Sequence, residues 1–359
     1  MLKQYGRCFN HLEDLVFFYE FTGAKQVLYH INDIIDNSSS LRLKWDGGNQ
    51  IYWGREDSRL IFSTHNSWSK NVKCYSDVEI YNFIMSTGNI ITHEQYKERE
   101  NYAKTFSNLY NIFDKSTPKD FRGFIYGDAL YLSPPPTSEN NIYDIKPNTK
   151  SNTTYHIHRK SQLGRKIKYS TVMIACHAKF NKFASPDSDQ IPLKSFDEFQ
   201  NNDIIILNPY YSNKKLLIHD ELLISLEENI NNNENLLNNL LKPIEGVTQF
   251  KNYIYKYTNF MAKSKNLHNL DNNFINYIKN SNIHQNQQLK ILNRIEKYDI
   301  NQMFGIIMDI IFIKNEIIRQ LDGDIPDISI TNSEGWVRYY DANFGGNIKL
   351  VNRDEWIPL

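Results

Sequence analysis

The sequence predicts an α+β protein in which a strand-rich region is interrupted by a block of helices. Three observations lead there. Apolar residues recur at helical spacing over 7–35 and 76–115; strand-like alternation runs through 41–65, 120–211 and the stretch after 334; and 214–322 is helical again.

The elements follow in order. Leu12, Leu15, Val16 and Tyr19, then Val27, Leu28 and Ile31, mark helical faces, and Gly23 is expected to separate two helices. LRLKWDG and NQIYWGR read as two strands joined by a glycine-containing turn, with RLIFST as a third. Residues 76–115 return to helical spacing. FRGFIYGDALYL reads as a strand ended by Ser133 and three prolines, and TTYHIHRK, TVMIACHAKF and IIILNPYY as further strands. SQLGRKIKYS is a short polar stretch. The helical block ends in an amphipathic helix carrying Ile306, Ile307, Ile310, Ile311, Ile313 and Ile317, stopped by Asp322-Gly323. EGWVRYY and NIKLVNR, joined by a turn through Asn343 to Gly346, close the chain as strands. No repeat of fixed period is present.

Composition narrows the function classes. The 359 residues carry 41 Lys plus Arg and 41 Asp plus Glu, so a wholly polybasic protein is excluded, while a local basic groove is not. Aromatics are 13% and Gly and Pro are few, which excludes a disordered or fibrous chain. No run reaches the roughly 18 apolar residues of a membrane span. The N-terminus lacks the pattern of a secretory signal. Cys8, Cys74 and Cys176 are far apart and odd in number, with neither a disulfide framework nor zinc spacing. The expected location is the cytoplasm.

The residues that carry chemistry begin at Lys44-Trp45-Asp46-Gly47, a strand ending in a lysine before a tight turn. A deprotonated lysine amine is a nucleophile towards phosphorus. A free lysine has a pKa near ~10.4, so neighbours or burial must lower it. Asp46 also suits an Asp-Gly turn. Asp128 lies in one strand, Glu334 opens another, and Lys349 lies in the last. Two carboxylates can hold Mg²⁺ or ribose hydroxyls, and a second lysine can neutralise a phosphate. His156, His158, Arg159, Lys160, Arg165, Lys166 and Lys168 form the densest basic stretch, suited to a nucleic-acid backbone or to a solvated helix face. His177 and Cys176 sit in an apolar run and read as core.

These segments resemble the covalent nucleotidyltransferase superfamily of ATP-dependent DNA ligases, RNA ligases and capping enzymes. Lys44-Trp45-Asp46-Gly47 is similar to its motif I, Tyr126-Gly127-Asp128-Ala129-Leu130 to motif III, and Thr154-Tyr155-His156-Ile157 to motif IIIa. Glu334-Gly335-Trp336-Val337 is similar to motif IV and Ile348-Lys349-Leu350-Val351 to motif V. His11-Leu12-Glu13-Asp14-Leu15, Lys146-Pro147-Asn148-Thr149 and Ser161–Ile167 add a resemblance to a ligase-like family of tailed phages, whose setting would be the host cytoplasm.

The resemblance implies an antiparallel-rich nucleotidyltransferase core, ATP-grasp-like, with an inserted helical subdomain. Residues 1–213 would be the first part of the core, 214–325 the insertion and 326–359 the last strands. It implies Lys44 as nucleophile, aided by Lys349. Trp45, Asp46, Gly47, Arg55, Asp128, Tyr155 and Lys349 would bind the nucleotide. Asp128 and Glu334 would hold Mg²⁺, and Arg159, Lys160, Arg165, Lys166 and Lys168 the nucleic acid. ATP and Mg²⁺ are the implied cofactors and RNA or DNA ends the partners.

The sequence also departs from the pattern. Asn49 stands where an arginine is usual, leaving Arg55 as the nearest, and one lysine replaces two in motif V. The stretch after Lys349 is too short for an oligonucleotide-binding barrel. A binding-only or structural phage protein, and an adenylyltransferase acting on another acceptor, therefore stay open beside the ligase.

Overall fold

In the computed structural model, residues 10–89, 92–138, 140–147, 153–186, 189–193, 201–322, 325–338 and 347–353 are described. The turn through Asn343 to Gly346, with Cys8, Asn148 and Thr149, lies outside them. The strands are β1 (Asn10–His11), β2 (Arg42–Leu43), β3 (Asn49–Glu56), β4 (Arg59–Thr64), β5 (Gly123–Tyr131), β6 (Ile142–Ile145), β7 (Thr154–His158), β8 (Val172–Phe180), β9 (Ile191–Pro192), β10 (Ile204–Leu207), β11 (Ile328–Thr331), β12 (Trp336–Arg338) and β13 (Ile348–Leu350). The helices are α1 (Asp14–Asp36), α2 (His65–Ser69), α3 (Asp77–Ser86), α4 (His93–Ser116), α5 (Gln162–Ile167), α6 (Asp220–Asn232), α7 (Glu234–Leu240), α8 (Phe250–Lys263), α9 (Leu270–Lys279), α10 (Gln285–Lys297) and α11 (Ile300–Leu321). The protein is therefore mixed α and β with antiparallel-rich sheets.

The chain forms two units. The first comprises the described residues of Trp45–Tyr210 and Ile325–Ser333. Its main sheet runs β10-β8-β5-β3-β4, with β9 on β8, and is antiparallel except for β10 against β8. Alternation decides what each face carries. Ile51, Trp53, Phe62, Ile125 and Ile174 point to one side, where Ala103, Phe106 and Phe113 of α4 cover them. Helix α4 starts at a capping box, Thr92 with Gln95, which satisfies two otherwise orphaned backbone donors. Tyr52, Phe124 and Phe180 line the other side. A small antiparallel sheet, β11-β7-β6, completes this unit.

The second unit comprises the described residues of Arg7–Lys44, Tyr211–Asp324 and Glu334–Leu359. Its sheet runs β1-β13-β12-β2, with β1 parallel to β13 and the rest antiparallel. Helix α1 packs on α6, α7, α8 and α11, and α11 also contacts β13. The isoleucine stripe of α11 is buried throughout. Each such side chain contributes about 1.5–3 kcal/mol.

Several expectations are corrected. The helical block is no insertion standing apart from a core formed by 1–213 and 326–359. Its apolar faces are completed by α1, so it shares one unit with the first helix and the last strands. β2 and β3 are not a hairpin: β2 pairs with β12, and β3 with β4 and β5. The first helix breaks at Tyr19 and Glu20, not at Gly23. Gly23 lies where a Cβ would come within 1.9 Å of the Leu15 carbonyl oxygen, so it serves a close backbone approach. SQLGRKIKYS contains a short helix, α5, capped by the Ser161 side chain. Among the described residues no helix is long and apolar enough to cross a membrane.

Candidate functional site

The boundary between the units falls inside Lys44-Trp45-Asp46-Gly47, so the two halves of that motif are built separately. In the second unit, Lys44 follows β2 and Glu334 precedes β12. These strands are adjacent, with Trp336 opposite Leu43, and the Lys44 backbone N–H donates to the Gly335 carbonyl at 2.9 Å. Gly335 takes φ +75°, and a Cβ there would meet the Leu350 carbonyl oxygen at 2.0 Å, so only glycine serves. The result is an ion pair between Lys44 Nζ and Glu334 Oε2, both partly exposed. Lys349 lies on β13, paired through Val337 of β12. Burial holds its amine below the usual lysine range, and Arg353 and Lys314 push the same way against Asp14 and Glu13. The sheet thus gathers Lys44, Glu334 and Lys349, three of the expected residues.

In the first unit the Asp46 main chain is clamped by one phenol. The Asp46 N–H donates to Tyr155 Oη at 2.7 Å, and Tyr155 Oη donates back to the Asp46 carbonyl at 3.1 Å. The Trp45 ring lies 5.5 Å from the Tyr155 ring. Tyr155 is 1% exposed, and burial pushes its phenol pKa far up. Its expected role as a base-stacking ring is corrected: both faces are packed, and its hydroxyl holds the turn. Gly47 lies against Asp128, where a Cβ would come within 2.1 Å of the Asp128 Cβ.

Asp128 stands on β5. Its Oδ2 is 3.0 Å from His177 Nε2, while its Oδ1 is buried with no hydrogen-bond partner among the described residues. His177 reaches it because β5 and β8 slip register between Tyr126 and Gly127: Tyr126 faces Ala178 and Gly127 faces Cys176, leaving His177 as the extra residue of a bulge. Sequence reading assigned His177 to the core, since a bulge leaves no mark on an apolar run. Beside Asp128 opens a cavity of about 360 Å³, lined in part by Gly47, Gln50, Thr64, His65 and Tyr102.

Arg55 is also corrected. It is 3% exposed at the far end of β3, and its guanidinium donates to the Ser58, Asp114, Thr117 and Pro118 carbonyls and to the Asp114 carboxylate. All its nitrogens are committed to the end of α4, so no ribose contact remains. Arg159, Lys160, Arg165, Lys166 and Lys168 are exposed together around α5. Cations near its C-terminal end also complement the helix dipole.

For the expected Mg²⁺, the donor set is sparse. Among the described residues no three His, Cys, Asp or Glu side chains converge to hold a metal ion. Mg²⁺ often takes only one or two carboxylates, with phosphates and water completing its shell, and the open Oδ1 of Asp128 fits that habit.

No curated protein and no solved structure matches the chain. A family model does, over residues 8–357, nearly the whole chain. The chain thus belongs to DUF6267, a family of unknown function.

Proposed function

We propose that the protein is an ATP-dependent, ligase-type adenylyltransferase that works through a covalent lysyl-AMP on Lys44 and joins 5′-phosphate to 3′-hydroxyl nucleic-acid ends. One observation carries the reading. Lys44 and Glu334, remote in the chain, make an ion pair at the ends of adjacent strands, with Lys349 one strand further on.

In the proposed reaction Lys44 Nζ gives its proton to the Glu334 carboxylate and attacks the α-phosphorus of ATP. An N–P bond forms, the P–O bond to the leaving group breaks, and pyrophosphate departs. Lys349 offsets charge on the α-phosphate. A 5′-phosphate oxygen then attacks the same phosphorus, the N–P bond breaks and the lysine regains a proton. Attack by a 3′-hydroxyl on the activated 5′-phosphate finally releases AMP. Of the two acids expected at Mg²⁺, Glu334 is engaged by Lys44, so Asp128 would hold the ion. When bound, it would neutralise phosphate charge. Catalysis here is positioning and charge compensation. Arg159, Lys160, Arg165, Lys166 and Lys168 would contact the nucleic-acid backbone.

The test is incubation with Mg²⁺ and ATP labelled at the α-phosphate, followed by a denaturing gel beside Lys44→Ala. The expected result is label on the wild type, released by pyrophosphate and absent from the variant. A folded wild-type protein that takes no label from ATP or GTP overturns the reading and favours a binding-only protein.

A further inference from the structure

The motif His11-Leu12-Glu13-Asp14 and the lysine inside the isoleucine stripe of α11 have no part in the scheme above, yet they meet. β1 runs beside β13 with His11 opposite Lys349, and α1 begins at Asp14. Glu13 and Lys314 are 0% exposed, and Lys314 Nζ lies 2.8 and 2.9 Å from the two Glu13 carboxylate oxygens. Arg353 follows β13. Its Nη1 reaches Asp14 at 2.5 Å and Glu13 at 3.2 Å, its Nε and Nη2 reach Asn259 Oδ1, and its guanidinium lies over the Tyr255 ring.

Burying so many charges is expensive, and apolar side chains would pack the same space at lower cost. What the charges provide is a fixed potential around the one lysine of β13. Every charged group packed near Lys349 belongs to this cluster: Glu13 and Asp14 at the start of α1, Lys314 from α11 and Arg353 after β13. His11, on the strand beside it, is kept neutral by burial. Asp14 is the leading favourable charge on Lys349, and Arg353 holds its carboxylate in place.

We propose that Asp14 is a positioning residue for Lys349, held by Arg353 and separated from the Glu13–Lys314 pair in function, so that the first and last helices and the chain after β13 jointly keep the Lys349 ammonium charged and fixed. This rests on the adenylyltransferase reading for its catalytic meaning, but its electrostatics can be measured without ATP.

The experiment follows the ε-carbon resonance of Lys349, in full-length protein with labelled lysine, as pH is raised. Two variants are compared: Asp14→Asn, and the double change Glu13→Gln with Lys314→Met. Both disturb buried charge. The first removes the carboxylate facing Lys349; the second removes an acid and a base whose effects on Lys349 oppose each other. Asp14→Asn is expected to move the Lys349 titration down by about one pH unit, a typical shift for loss of a near charge. The alkaline limb of lysyl-AMP formation should move with it. The double variant should leave the titration near that of the wild type.

An unmoved titration in folded Asp14→Asn, or equal shifts in both variants, overturns the proposal in favour of a merely structural cluster. If the titration moves as expected but wild-type protein takes no adenylate label, the adenylyltransferase reading falls and the Asp14–Lys349 coupling stands.

Discussion

Arg55 and Tyr155 show how a residue type alone misleads about a role. Both match positions that the ligase resemblance gives to the nucleotide, and both are spent on the scaffold. Removing Arg55 strands the buried carbonyls at the end of α4. Arg55→Ala is expected to cost about 3 kcal/mol, read as a lower urea midpoint, with lysyl-AMP formation at wild-type rate at a temperature where the variant is folded. Tyr155→Phe removes two hydrogen bonds to the Asp46 main chain at about 1–2 kcal/mol. Because that main chain continues directly from Lys44, adenylylation should slow by more than the loss of stability explains. Equal rates for Tyr155→Phe and wild type would remove the phenol from the site. Nothing in the sequence could separate these roles, since an arginine or tyrosine in a strand looks the same whether it faces a ligand or a helix end.

At the scale of elements, strand identity was legible and strand partnership was not. The alternation of NQIYWGRE and VMIACHAKF marks β3 and β8, but pairing is set by residues distant in sequence. Hence a single glycine turn could be taken for a hairpin where the chain passes from one sheet to another. Helix α1 makes the same point. Its break at Tyr19 and Glu20 carries no proline or glycine, and Glu20 adopts φ +53°. Gly23 is needed for crowding, not for a break. Gly23→Ala is expected to destabilise the protein by at least about 2 kcal/mol, because the added methyl meets the Leu15 backbone and not a side chain that can move. A thermal midpoint unchanged by Gly23→Ala would refute this packing argument.

At the scale of the molecule, the helical block 214–322 depends on α1. Phe17, Val27, Leu28 and Ile31 of α1 are buried, and α1 packs on α6, α7, α8 and α11. A polypeptide of 214–322 alone is therefore expected to melt without a cooperative transition by circular dichroism, while the full chain melts cooperatively. Stability should also depend on pH through His11. Burial keeps its imidazole neutral in the folded state, well below the ordinary value of 6.5, whereas the unfolded chain protonates it near that value. The unfolded state then binds the extra proton, so this contribution is complete above about pH 6.5 and is lost as pH falls, by up to about 1.4 kcal/mol per unit. Urea midpoints at pH 7.5 and 5.5 should show the loss, and His11→Gln should reduce it.

Periodicity and motif spacing sufficed for the α+β class, for most elements, and for Lys44, Glu334 and Lys349, because side-chain direction within a strand or helix is a local property. The meeting of Lys44 with Glu334 was implied only by resemblance. The bulge that turns His177 to Asp128, the burial of Arg55 and Tyr155, and the cluster that joins Asp14, Lys314 and Arg353 around Lys349 rest on pairings between residues far apart in the chain. Local pattern carries no record of such pairings. One trace was present: a lysine inside an isoleucine stripe, which must find a buried carboxylate if the stripe is core.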